Sequence, residues 1–276
     1  MSYAETLIPP QPAPREAARR MTRTRLAGYI LVAFWALFAA LLVFTVINGW
    51  DPDKFTRYGP RYLHGLGVTL GLVAISVVCG AVLSLPLAMA RLSKSKVLNA
   101  LAYCYIYFFR GTPLLAQLFL VYYGLGVFRP QLESVGIWWF FRDAWYCGIF
   151  AMTINTAAYQ AEILRGAIES VPHGQREAAA ALGIHQNIAF RKIILPQALI
   201  VALRPYGNEI ILLIKGSAVV AIITVLDLMG ETRYAFSRTF DYQTYLWAAI
   251  FYLSIVEALR HLWAWIERRL TRHLKR

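Results

Sequence analysis

The sequence predicts an all-α, polytopic helical membrane protein, and three observations lead there. The chain is 58% hydrophobic and only 16% charged over 276 residues, against roughly 25% charged in an ordinary soluble domain. Its mean hydropathy is +0.49, and the apolar residues fall in runs long enough to cross about 30 Å of hydrocarbon, which takes roughly 20 residues of helix. Its Lys and Arg residues lie between those runs and not on one clustered face. The 14% aromatic content excludes a disordered chain. A net charge of +13 would suit nucleic acid, but the scattered cations argue for membrane orientation and no nucleic-acid partner. Cys79, Cys104 and Cys147 are too few and too scattered for a disulfide scaffold or a metal site.

About six spans follow by the length rule: Leu26–Ile47, Leu66–Ala90, Val97–Val127, Ala144–Gly166, Ala198–Thr224 and Thr244–Ile266. The first follows a basic leader, residues 1–25. Its apolar stretch exceeds the roughly 7–15 residues of a signal-peptide core, so it reads as an uncleaved span. Gly67 and Gly71 in the second form a small-xxx-small pair suited to close helix approach. The third is interrupted by Arg110-Gly111-Thr112-Pro113, because proline removes an internal hydrogen bond. Either the break is satisfied inside the bundle, or Val97–Phe109 lies at the interface with Arg110 reaching head groups.

Orientation follows from the loop cations. One side carries Arg15, Arg19, Arg20, Arg23 and Arg25, then Arg91, Lys94 and Lys96. It also carries Arg165, Arg176, Arg191, Lys192 and Arg204, and finally Arg260, Arg268, Arg269, Arg272, Lys275 and Arg276. The other side carries fewer, and Asp51, Asp53, Glu133, Asp143, Asp227, Glu231 and Asp241 balance them. Both termini are therefore expected in the cytoplasm.

Two spans hold groups that lipid would reject. Asn155, Tyr159 and Glu162 share a helix face in the fourth, while Asn208, Glu209 and Lys215 follow Arg204-Pro205 in the fifth. A charge at a helix centre costs about 2.5–3.5 kcal/mol on insertion scales, so these groups face protein or a water-filled path. Asn155, Tyr159, Glu162, Asn208 and Glu209 are candidate path residues, with interhelical bonding or a Glu–Lys pair as the structural alternative.

The loop from Ser170 to Pro196 reads as a helix–turn–helix knob. Ser170 caps and Pro172 opens a first helix, alanines from Gln175 to Leu182 favour it, and Gly183 stops it. A second amphipathic piece, Gln186–Leu195, ends at Pro196. Within the knob stand Glu177-Ala178-Ala179, three residues, Gly183, nine residues, and Ile193-Ile194-Leu195-Pro196. This spacing resembles the EAA loop of type-1 ABC importer permeases. GVTL at Gly67–Leu70, FRGTPL at Phe109–Leu114, NTAAYQAEILRG at Asn155–Gly166, SVPHG at Ser170–Gly174 and GNEII at Gly207–Ile211 resemble the polar amino-acid group, closest to permeases for histidine, lysine, arginine, ornithine and opines.

The resemblance implies a permease transmembrane domain over residues 65–270, a five-helix core preceded by one extra span. It implies an ATP-driven importer in the bacterial inner membrane, fed by a periplasmic solute-binding protein and paired with a second permease subunit, a paralogue. It makes the loop 170–196 the coupling element seated on an ABC ATPase dimer through Glu177, Ala178, Ala179, Gly183, Ile193, Leu195 and Pro196. No phosphate-cradling Gly-x-x-x-x-Gly-Lys-Ser/Thr motif occurs in the chain, so ATP and Mg are expected on the partner and no cofactor or catalytic residue here. Many relatives carry an Asp after the lysine, where this chain reads Lys215-Gly216-Ser217. Gln stands in place of Glu209 in some permeases for neutral amino acids, and a carboxylate there favours a basic substrate. The rival readings are a proton-coupled secondary transporter relaying through Glu162 or Glu209, and a membrane anchor or channel subunit with no transport cycle.

Overall fold

The computed structural model describes residues 22–272; the leader cations Arg15, Arg19 and Arg20, and Lys275 and Arg276 at the other end, lie outside the described residues. Every regular element among the described residues is helical. The chain divides into two units, residues 1–50 and 51–276.

The first unit holds α1, Arg23–Asn48. Thr22 caps it by accepting the Arg25 N–H at 3.3 Å, so Arg23 and Arg25, expected in the leader, already belong to the helix. The helix is apolar around its whole circumference, as a span facing lipid requires.

In the second unit α2, Pro52–Arg91, begins well before the expected Leu66. The Asp51 carboxylate accepts the N–H groups of Asp53 and Lys54, and Pro52 occupies the first turn. Hydropathy hid the first turns because Asp53, Lys54, Arg57 and Arg61 make them polar. α3 is Lys96–Gly111. α4, Leu114–Phe119, runs on through a π turn and a 3-10 turn into α5, Arg129–Ser134. The axes of α3 and the α4–α5 run meet at 104°, so the third span is broken as the proline predicts. After α6, Trp138–Phe141, the central helix α7 runs over Ala144–Glu169.

α8, His173–Ala181, forms the knob. Two expectations there are corrected. Ser170 ends α7 and donates its hydroxyl back to the Ala167 carbonyl at 2.7 Å, while Pro172 precedes α8. Pro196 does not stop the second piece: α9, Gln186–Ala189, passes through a π turn directly into α10, Leu195–Ser217, where Pro196 sits in the tolerant first turn. A 3-10 turn ends at Ile223, then come α11, Leu228–Thr239, and α12, Gln243–Leu270.

Helices α1, α2 and α12, and α10 with its lead-in and 3-10 extension, are long and apolar enough to cross a membrane, and the bent α3–α5 pair passes the same length and composition test when its two pieces are taken together. α7 is long enough, about 39 Å at 1.5 Å per residue, but fails on hydropathy because it faces protein and not lipid. Its buried residues include Gly148, Ala151, Ala157, Ala158, Ala161 and Ala167, small side chains that let neighbouring backbones approach. α2, α3, α4 and α10 all pack on it. Leu72, Leu118, Met152, Leu213 and Val220 fill one end of this core, and Ala88, Ile106, Leu164, Ile168 and Ile194 the other. The Gly67–Gly71 pair is not the close approach expected: a methyl at Gly67 would meet open space, and at Gly71 only the Trp145 ring.

The close approach lies elsewhere. Trp263 of α12 presses its indole against Gly207, where an added Cβ would overlap the ring, and donates its N–H to the Leu203 carbonyl at 2.6 Å. α11 was not foreseen. Asp227 caps it by accepting the Gly230 N–H at 2.8 Å. Asp227 and Glu231, expected on a solvated loop, are buried, Glu231 against Arg61 at 3.4 Å.

Candidate functional site

The site forms where α3 breaks. Pro113 has no N–H, so the Phe109 carbonyl, its helical partner, loses a donor. Thr112 is extended, at φ −111° and ψ 147°. Side chains replace the missing bonds. Gln117 Nε2 donates to the Phe109 carbonyl at 2.9 Å and reaches the Thr112 hydroxyl at 2.8 Å and its carbonyl at 3.1 Å. Asn155 Nδ2 donates to the same Phe109 carbonyl at 3.1 Å and to Gln117 Oε1 at 3.0 Å. Tyr159 donates its hydroxyl to the Arg110 carbonyl at 3.4 Å. This is the condition under which irregular backbone survives in a bundle. Arg110 therefore packs on α7, its guanidinium 5.2 Å from the centre of the Tyr159 ring.

The predicted α7 face is thus real: Asn155, Tyr159 and Glu162 all meet the end of α3. Glu162 lies among arginines: Arg91 and Arg165, which the sequence places with the loop cations, and Arg110 of the α3 break. Arg165 grips it with three contacts of 2.8–3.1 Å, Arg91 of α2 is at 3.4 Å, and Arg110 is at 4.0 Å. Arg165 also holds Glu169 at 2.6 Å. Arg91 bonds Asn99 and lies over the Tyr103 ring, which ties α2 to α3. A cavity of about 400 Å³ opens here, lined by Arg110, Tyr159, Glu162, Ile163, Gly166, Ala167, Val201 and Pro205.

The α10 candidates separate. Glu209 is buried and accepts the Thr156 hydroxyl at 3.0 Å, with Gln160 bonded in turn to Thr156. Asn208 points outward and is exposed, as is Lys215. Glu209 is thus held by a hydroxyl of α7 and not by Lys215, although Arg110 lies within its electrostatic reach. Gln117, Thr156, Gln160, Arg91, Arg110 and Arg165 complete this site. A lone polar residue in an apolar run marks Gln117, and Arg165 stands three residues from Glu162, a helical pairing distance; Arg91 carries no such signal, because its partner is 71 residues away.

The knob follows directly on the C-terminal end of α7, the end that lines the cavity. Glu177 and Ala178 are exposed and Ala179 is buried. Gly183 takes φ +67°, a left-handed value that costs an L side chain roughly 1–2 kcal/mol. It lets the Ile184 N–H reach the Ala179 carbonyl at 3.0 Å. Ile193 is half-buried, Leu195 is half-buried and Pro196 is exposed. Leu182 is 77% exposed and Ile188 56%, so the knob's tip offers two large apolar side chains beside the exposed His185, Gln186 and Asn187.

A helical membrane protein with a broken span beside a cavity edged by Arg110 and Glu162, and a stiff knob on the adjoining loop, is the membrane part of a transport machine. Residues 76–272 match the family of binding-protein-dependent transport system inner membrane components, and the chain belongs to that family. It is 42% identical over 217 residues to the nopaline transport system permease protein NocM of Agrobacterium fabrum, covering 78% of this chain and 90% of that one. Over 227 residues it is 39% identical to the histidine/lysine/arginine/ornithine transport system permease protein HisM of Escherichia coli, covering 82% and 94%. Its fold matches the crystal structure of an amino acid ABC transporter with histidines at 35% identity and TM-score 0.70, covering 80% of this chain and 99% of that one.

Proposed function

We propose that this chain is one permease subunit of an ATP-driven importer for polar, basic amino acids or opines in the bacterial inner membrane. The cavity beside the α3 break carries the reading, because it gathers Arg110, Tyr159 and Glu162 against the break. The nopaline and histidine/lysine/arginine/ornithine relatives support the substrate class. Asn155 braces the wall of the path, Tyr159 and Glu162 line it, and Glu209 supplies a buried carboxylate for a cationic side chain. Asn208 faces outward, where a second permease, a paralogue, completes the path. A periplasmic solute-binding protein delivers the substrate, and lipid surrounds the outer helices.

The knob is the coupling element. Leu182 and Ile188 offer apolar surface, Glu177 a charge and Ala178 room for close packing against an ABC ATPase dimer that holds ATP and Mg. Ile193, Leu195 and Pro196 join it to α10, so a displacement of α8 is carried into the helix bearing Glu209. Proteoliposomes containing the whole complex test this. They should take up labelled arginine or octopine with ATP, and Glu209→Gln should lower the preference for arginine over glutamine. Glu177→Arg or Gly183→Pro should abolish substrate-stimulated ATP hydrolysis while the protein still inserts. Uptake driven by a proton gradient without ATP would overturn the reading.

A further inference from the structure

The Glu162 carboxylate, the obvious attraction for a cationic solute, is already spoken for. Arg165 holds it by three short contacts and Arg91 by a fourth, and Arg165 also reaches Glu169. Of the three guanidiniums around Glu162, Arg91 and Arg165 make hydrogen bonds to it. Arg110 is the least engaged. Its guanidinium stands 4.0 Å from the nearest Glu162 oxygen, beyond hydrogen-bond distance. Its side chain is 43% exposed and lines the cavity. The ring of Tyr159 supports one face of it, and the hydroxyl of Tyr159 fixes the backbone from which it projects. A planar guanidinium held from behind, with its donors turned to a cavity of about 400 Å³, is built to grip a carboxylate through two parallel bonds.

We propose that Arg110 binds the carboxylate of the transported solute, and that Glu162 serves to position the arginines and does not itself receive the solute's cation. This deepens the transport reading and rests on it. Amino acids and opines share a carboxylate, so Arg110 reads what the substrates have in common. Glu209, within electrostatic reach of Arg110 but on α10, is left to read the side chain. The cavity thus discriminates against cations that lack a carboxylate.

The test uses the complex of this chain with its second membrane subunit and ATPase, purified without the binding protein so that the receptor's own selection is absent. Affinity is measured for L-arginine and for agmatine, which keeps the guanidinium and lacks the carboxylate. The wild-type complex should bind arginine about tenfold to a hundredfold tighter, the range of a hydrogen bond to a charged group. Arg110→Gln should reduce arginine to the affinity of agmatine, and Arg110→Lys should restore part of the difference. Equal affinity of the wild-type complex for the two probes overturns the proposal without any variant, as does an unchanged ratio in Arg110→Gln or no binding of either probe. ATP-dependent uptake of arginine or octopine is scored separately, in proteoliposomes of the same complex with the solute-binding protein added back. Uptake without carboxylate discrimination overturns the Arg110 assignment alone, and no uptake of either overturns the transport reading beneath it.

Discussion

Replacing Gln117 by Leu keeps the volume at the α3 break and removes its polar bracing. Gln117 is 2% exposed, so water does not take its place. The change removes the donor contacts to Phe109 and Thr112 and the acceptor for Asn155. Side-chain hydrogen bonds inside a membrane bundle average about 0.6 kcal/mol each, which gives about 2 kcal/mol for these contacts together. The loss is not larger because Asn155 still serves the Phe109 carbonyl. A unit of this size shifts its Tm by about 2–4 °C per kcal/mol, so thermal unfolding in detergent should fall by about 4–8 °C. Adding Asn155→Leu removes the last side-chain donor to that carbonyl, and the double variant should lose more than the two single losses added together. A Tm for Gln117→Leu within about 1 °C of wild type would show that the break is not held by these bonds, and the reasoning from Pro113 outward would fail.

Other expectations follow from single contacts. Gly207→Ala drives a methyl into the Trp263 indole and should cost about 1–3 kcal/mol as overpacking; shortening the partner in Gly207→Ala/Trp263→Leu should recover part of the lost Tm. Gly183→Ala meets no neighbour but must adopt φ +67°; at roughly 1–2 kcal/mol it should lower Tm by about 2–8 °C and lower coupled ATP hydrolysis, while Gly183→Asn, which tolerates that conformation, should retain more of both. Lys54 at 2.8 Å and the Gln243 N–H at 3.0 Å hold the Asp241 carboxyl below the usual carboxylate range. Its contribution is therefore complete above about pH 4 and lost as pH falls through the lowered value. For so exposed a pair it is at most about 1 kcal/mol, so Lys54→Met should lower Tm by up to about 3 °C at pH 7 and not at pH 2.

The sequence made legible whatever depended on one residue and its neighbours. Pro113 predicts the break, Gly183 predicts the turn, and the apolar runs predict α1 and α12 to within a few residues. The helical spacing of Asn155, Tyr159 and Glu162 predicts their common face, but not that α3 covers it. Two kinds of feature stayed hidden. α11 and the first turns of α2 are polar helices stabilised by contacts with each other, such as Arg61 with Glu231, so periodicity in hydropathy does not announce them. The arginine cluster joins Arg91 and Arg165, which positive-inside counting assigns to the loops, with Arg110, which the sequence leaves either inside the bundle or at the head groups. Glu162 therefore read as an available carboxylate, when three guanidiniums surround it.

The claim on which the transport account rests is that α8 delivers the motion of a separate ATPase to this chain. With Cys79, Cys104 and Cys147 replaced, Ala178→Cys should form a cross-linked adduct with an ATPase subunit in the assembled complex. A maleimide that cannot cross membranes should label the introduced thiol only after the cytoplasmic face is opened. Labelling of the Ala178→Cys variant in intact cells by that reagent, or an assembled and active complex in which no such adduct forms at any spacer length, would contradict it.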